Sequence, residues 1–135
     1  MENKCNEKCA AYAPLVLRLA LGLLFVIPGL QKLANPAMIA GMLGELGFPA
    51  PAFLGWVLLL SEIVFGAAVL AGWRLKYTVW PLIVIAVVAL FTVHFPAWFA
   101  KQPMALISVL FHVLAVAVLV SLYFSGAGAY AVKER

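Results

Sequence analysis

Long runs of apolar residues, separated by short segments rich in proline, glycine and polar residues, dominate the chain. About 20 helical residues are needed to cross the hydrocarbon core of a bilayer, and four of the runs reach that length. They cover about residues 13–33, 52–71, 77–95 and 104–123. The pattern therefore predicts an all-α integral membrane protein whose four transmembrane helices form a bundle over residues 13–125.

Proline and glycine indicate where these helices begin and end. Pro14 suits a first helical turn, where the backbone N–H needs no partner. Gly72 is a natural C-terminal cap for the second span. Pro96 is expected beyond the end of the third span, because proline disrupts a helix interior. Residues 1–12 and 126–135 are then tails on the same side of the membrane.

A fifth, shorter helix is predicted between the first two spans, over about residues 37–46. Asn35 and Pro36 are typical of a helix start, and Gly47 of a helix end. About ten residues are too few to cross the membrane. We therefore interpret this segment as an apolar helix at the interface, with Glu45 toward water.

The composition supports lipid as the main solvent of the chain. Hydrophobic residues make up 67% and charged residues 10%, against roughly 45–50% and about 25% in soluble proteins. A 14.6 kDa protein has too much surface to hide that apolar area from water. The net charge of +4 comes from basic residues at the ends of apolar runs, not from a basic stripe with aromatics, so nucleic acid is excluded as a partner.

The distribution of Lys and Arg predicts the orientation. Lys32 and Lys101 are the basic residues on the side that carries the short helix. The opposite side carries three times as many: Lys4, Lys8, Arg74, Lys76, Lys133 and Arg135. Because basic loops stay inside, both termini are expected in the cytoplasm of a multi-pass plasma (cell inner) membrane protein.

The two cysteines, Cys5 and Cys9, lie in the predicted N-terminal tail. A structural zinc site needs four ligands, and no further Cys or His lies nearby in the sequence. We interpret them as reduced thiols on a frayed terminus, with a redox or metal role as the alternative.

Ionisable residues inside the spans point to a site, because each costs about 2.5–3.5 kcal/mol to insert. Helical spacing places Arg18, Gly22, Phe25, Gly29 and Lys32 on one stripe of the first span. Glycines on that stripe allow a second helix to approach closely, so the stripe should face the bundle. The further polar candidates are Gln31, Glu62, His94 and His112.

Depth separates the possible partners of Glu62, which lies near the middle of the second span. Side chains lean toward the N-terminus of their own helix, so Glu62 leans outward and Lys32 inward. This favours a Glu62–Lys32 pair, with Arg18 as the alternative partner. The predicted site is a polar pocket in the outer half of the bundle, formed by Gln31, Lys32, Glu62 and His112, with His94 at its mouth.

Two alternatives limit this interpretation. A buried ion pair can serve only to fix the register of the helices. The pocket also offers little to a metal, because His94 and His112 are expected to differ in depth by about 10 Å. No metal site and no haem are therefore predicted.

These residues resemble the DoxX-like family of four-helix membrane proteins over about residues 14–132. The segments from Arg18 to Gly22 and from Gly29 to Lys32 are similar to the family's first-helix motif, and Glu62 with Gly66 to its second. The chain departs from the family at Ile63-Val64-Phe65, where a glycine cluster is common. It also has Phe111-His112 where a Lys-Asn pair is common.

The resemblance implies redox chemistry in part of the family, named after a subunit of a thiosulfate:quinone oxidoreductase. Our first hypothesis is a small membrane subunit of a quinone-linked complex, with Glu62 as candidate proton carrier and a partner oxidoreductase completing the enzyme. Gln31, Lys32, His94 and His112 would contribute to quinone binding. The alternatives are a non-catalytic membrane scaffold or chaperone and, further, a small-solute transporter, which would need a homo-oligomer.

The orientation predicts how the cysteines react. Cys5 and Cys9 should resist a membrane-impermeant thiol reagent in intact cells and react after lysis, because both lie on the basic side. A cysteine introduced at Gly47, on the opposite side, is the matched control and should react in intact cells. The reverse pattern of labelling would overturn the predicted topology.

Overall fold

The computed structural model describes residues 2–132, with side chains from Cys9 onward. The side chains of Lys4, Cys5 and Lys8, and the residues Lys133 and Arg135, lie outside this part, so four of the basic residues used for the orientation are not described. The described residues form helices with bounds α1 Glu2–Ala34, α2 Pro36–Glu45, α3 Pro51–Ala71, α4 Leu75–Ala89, a π-helical turn Leu90–His94, α5 Phe95–Phe99 and α6 Ala105–Ser125.

Four helical stretches are long and apolar enough to span a membrane: Cys9–Ala34, Pro51–Ala71, Leu75–Phe99 and Ala105–Ser125. Large apolar side chains such as Val64 and Leu114 are exposed on their outer faces, so lipid must cover these surfaces. The predicted all-α fold with four spans and a short helix after the first is confirmed.

Two boundaries differ from the sequence prediction. The first helix begins at Glu2 and not near residue 13, so Cys9 lies within α1. The third span continues through Pro96 to Phe99. Proline lacks an N–H and its ring collides with the carbonyl four residues earlier. A wider π-helical turn directly before Pro96 provides the room, and the Phe95 N–H bonds to the Leu90 carbonyl five residues back.

The helices α1 and α3 pack backbone against backbone through glycines, as the stripe predicted. A Cβ atom on Gly66 would lie 3.1 Å from the Phe25 Cβ and 3.2 Å from the Val26 nitrogen. A Cβ on Gly29 would lie 2.7 Å from Cγ1 of Ile63. The contact at Gly29 is too close for a Cβ atom unless Ile63 moves, and those at Gly66 are tighter than most real contacts, so glycine at both positions favours this close separation of the helices.

The short helix α2 packs on α3 through Ile39 and Leu43, both buried. The main apolar core lies toward the other end of the bundle, where α1, α3, α4 and α6 meet. Leu59, Val79 and Leu119 are completely buried along the bundle.

The segment after α6 folds back over the end of the bundle that carries the chain termini. The Ala129 N–H donates to the Ala11 carbonyl at 2.8 Å, and the Val132 N–H donates to the Ala71 carbonyl at 3.0 Å. The guanidinium of Arg18 donates to the carbonyls of Ala127 at 2.7 Å and Tyr130 at 2.8 Å. Arg18, only 2% exposed, therefore holds this segment against the bundle.

The glycine packing predicts unequal effects of one substitution at neighbouring positions. Gly66→Leu should destabilise the protein by about 1–3 kcal/mol, because the new side chain forces α1 and α3 apart. Ala67→Leu is the control, since Ala67 is exposed on the lipid-facing surface. Thermal unfolding in detergent measures both, and equal unfolding midpoints would contradict the packing described.

Candidate functional site

A buried ion pair joins α1 to α3 at the α2 end of the bundle. The Nζ atom of Lys32 lies 2.5 Å and 2.6 Å from the two carboxylate oxygens of Glu62. Glu62 is buried, and the Lys32 side chain is 23% exposed. The pair is possible because Gly29 brings the helices together, with the Glu62 Cβ at 3.3 Å from where a Gly29 Cβ would stand.

Arg18, the alternative partner considered for Glu62, lies elsewhere. Its guanidinium donates hydrogen bonds to the backbone carbonyls of Ala127 and Tyr130, near the chain termini. The two basic residues of the α1 stripe thus have separate tasks. Lys32 neutralises a carboxylate, and Arg18 binds the C-terminal segment.

Two histidines face each other beside the ion pair. The ring centroids of His94 and His112 are 4.0 Å apart, with their planes at 35°. The expected depth difference of about 10 Å is therefore wrong. That expectation assumed that the third span ends near Phe95, whereas it continues to Phe99 and places His94 inside the bundle. His94 ends the π-helical turn, a feature that often accompanies functional sites.

The hydrogen bond of His112 defines its tautomer. Its Nδ1 atom lies 2.8 Å from the Ser108 carbonyl oxygen. A carbonyl can only accept, so Nδ1 carries the proton and donates it. In the neutral ring, Nε2 is then left as a hydrogen-bond acceptor.

The ion pair and the histidine pair line one cavity of about 320 Å³. This volume is at the lower end of the range for small-molecule sites. Lys32, Glu62, His94 and His112 supply its polar groups. Apolar residues from every spanning helix make up the rest of the wall, among them Phe25, Leu58, Ile85 and Phe111.

Gln31 does not join the other predicted site residues. It is exposed and lies outside the cavity wall. Neighbouring residues on a helix point about 100° apart, so the orientation that turns Lys32 into the bundle turns Gln31 away from it. In contrast, Met42 of α2 lines the cavity and was missed. The apolar character of the α2 sequence indicated burial, but not where it would occur.

The cavity suits hydrogen bonding and proton exchange more than metal binding. Among the side chains that the structure describes, from Cys9 to Val132, no group of three or more His, Cys, Asp or Glu could hold a metal ion. The polar groups are one ammonium donor, one carboxylate acceptor and two imidazoles. Together they could donate to a carbonyl, accept from a hydroxyl and transfer a proton between them.

Four apolar helices, each long enough to span a membrane, define a multi-pass membrane protein, and in this one an ion pair and a histidine pair lie between the helices. The DoxX family profile matches residues 13–95, more than half of the chain, and the protein belongs to the DoxX family. This range includes Lys32, Glu62 and His94, whereas His112 in α6 lies beyond it. No curated protein and no solved structure matches the chain.

The ion pair predicts a non-additive effect on stability. Glu62→Leu alone should cost on the order of 3 kcal/mol, because it leaves the Lys32 ammonium without its counter-charge. Adding Lys32→Met should restore most of the loss, since the double variant buries no charge. Unfolding of the single and double variants in detergent gives the coupling, and additive losses would show that the pair does not contribute as described.

Proposed function

We propose that this protein is a small membrane subunit or accessory of a redox complex, in which the cavity binds the head group of a quinone. The observation that carries the proposal is the meeting of the Lys32–Glu62 and His94–His112 pairs at one cavity among lipid-embedded helices. A quinone dissolves in lipid but carries carbonyl oxygens that need donors. The redox chemistry implied by the family resemblance supports this ligand class.

The ion pair supplies the groups that a quinone needs. Reduction of a quinone to a quinol takes up two electrons, which a partner oxidoreductase would provide, and two protons, which side chains of the cavity would take from water and pass to the quinone. Oxidation of the quinol runs the same steps in reverse. The Lys32 ammonium can turn from Glu62 to a quinone carbonyl oxygen. The Glu62 carboxylate, which then loses its counter-charge, becomes the natural proton acceptor and proton carrier.

The histidines provide a second group that can exchange a proton with the bound quinone or quinol. In the tautomer held by the Ser108 carbonyl, Nε2 of His112 can accept the hydrogen bond of a quinol hydroxyl. His94, 4.0 Å away between ring centroids, lies next in line for the proton. The proposal places this cavity in the outer half of a plasma membrane protein with cytoplasmic termini, in keeping with the distribution of basic residues.

A membrane scaffold is the second candidate, and one observation favours it. Arg18 is a buried charge whose hydrogen bonds serve only to tie the C-terminal segment to the bundle. If the Lys32–Glu62 pair has the same purely structural use, the polar residues order the helices and the protein acts through its partners. This candidate predicts that assembly, but no bound cofactor, depends on Glu62.

Lipid extracted from natively purified protein tests the quinone proposal. Mass spectrometry should find quinone near one molecule per chain in the wild type and little in Glu62→Gln, which removes the charge at nearly constant size. Gln31→Leu is the matched control, because Gln31 is exposed beside the site but outside the cavity. Its quinone content should equal that of the wild type.

The same preparations can be titrated with a tail-less quinone. Saturable binding that is lost in Glu62→Gln supports the proposal. An absence of saturable binding to the wild type would contradict it and favour the scaffold. Equal binding by wild type and Glu62→Gln would remove Glu62 from the site.

A further inference from the structure

A second, apolar opening adjoins the polar cavity. It is a groove of about 220 Å³ between α3 and α4, bordered by α2 and the segment after it. Five residues line both the groove and the cavity: Met42, Leu58, Ile85, Ala89 and Val93. Because the two spaces share this wall, they lie side by side, and together they extend from the ion pair to the side of the bundle; we call the two spaces together the passage.

The groove differs from the cavity in its chemistry. Its lining is apolar except for Ser61 and Thr92. The Thr92 hydroxyl already donates to the Val88 carbonyl at 2.8 Å. All four ionisable side chains of the passage lie in the cavity. The passage is therefore amphipathic along its length. Its inner end carries the ionisable side chains, and the end toward the lipid is lined by apolar side chains.

We propose that the site takes one amphipathic molecule, a quinone whose ring occupies the cavity and whose long isoprenoid tail lies in the groove between α3 and α4. This inference rests on the proposed function and adds the tail to what the protein recognises. The groove adjoins the cavity through the five shared residues, and this argues for a tail over an unrelated lipid chain. An independent acyl chain would leave the polar end of the passage unexplained.

The geometry also defines the route of entry. Val57 and Val88 line the groove and are about half exposed, 45% and 42%. The groove therefore opens sideways to the hydrocarbon, between the two helices. A ligand dissolved in the bilayer would enter head first beneath α2, and its tail would remain in the opening.

Photo-crosslinking tests the position of the tail. Two quinone probes are used with the full-length protein in lipid nanodiscs, one with a diazirine on the ring and one with a diazirine on the tail. Labelling that is competed by unlabelled long-tailed quinone is mapped by mass spectrometry. The ring probe should label cavity residues, and the tail probe should label groove residues such as Leu54, Val57 and Val84.

The outcomes separate this inference from the proposed function. Ring labelling in the cavity with competed tail labelling on another face, such as the side of α3 that carries Val64, would overturn the inference and leave the function standing. An absence of competed labelling by either probe would overturn both. Competed labelling of the groove by the tail probe, with the ring in the cavity, supports both.

A matched pair of variants gives a second readout. Val88→Trp fills the groove at a residue that does not line the cavity. It should weaken binding of the long-tailed quinone by on the order of tenfold, about 1.4 kcal/mol, and leave the tail-less quinone unchanged. Val64→Trp, equally bulky but on the lipid-facing side of α3, should change neither. Equal losses for both ligands in Val88→Trp, or no loss for either, would overturn the role of the groove.

Discussion

The close approach of α1 and α3 is the constraint on which the rest of the structure depends. Lys32 reaches both carboxylate oxygens of Glu62 because Gly22, Gly29 and Gly66 have no side chains of their own, so the facing helix can pack directly against them. In lipid, a charge that lacks a counter-charge is costly. The glycine packing therefore does more than fill space, since it lets Lys32 and Glu62 meet as an ion pair between two apolar helices.

The two basic side chains of the α1 stripe, Lys32 and Arg18, are stabilised in different ways. Lys32 is neutralised by a carboxylate and faces a cavity, so its partner can be exchanged for a ligand. Arg18 binds backbone carbonyls of the C-terminal segment, and a Cβ on Gly72 would collide with its guanidinium. One end of the bundle is thus stabilised by fixed hydrogen bonds, while the other end offers groups that can bind and transfer protons.

A proline has an unexpected influence on the site. The π-helical turn before Pro96 lets the third span continue, and this places His94 against His112 instead of at the membrane boundary. The same turn supplies Thr92 and Val93 to the apolar groove. The histidine pair and the proposed path for a lipid tail therefore share one local distortion of a helix.

The sequence alone determined the four spans, the short helix after the first, the cap at Gly72 and the inward-facing stripe of α1. Each follows from local properties: the length of apolar runs, the backbone freedom of glycine and the period of a helix. The tertiary structure decided that Glu62 meets Lys32 and that Gln31 turns away. It also brought His94 to His112 and placed Met42 in the cavity wall. These depend on how far neighbouring helices slide and rotate against each other, and a shift of one residue along a helix changes a side chain's direction by about 100°, which sequence periodicity does not specify.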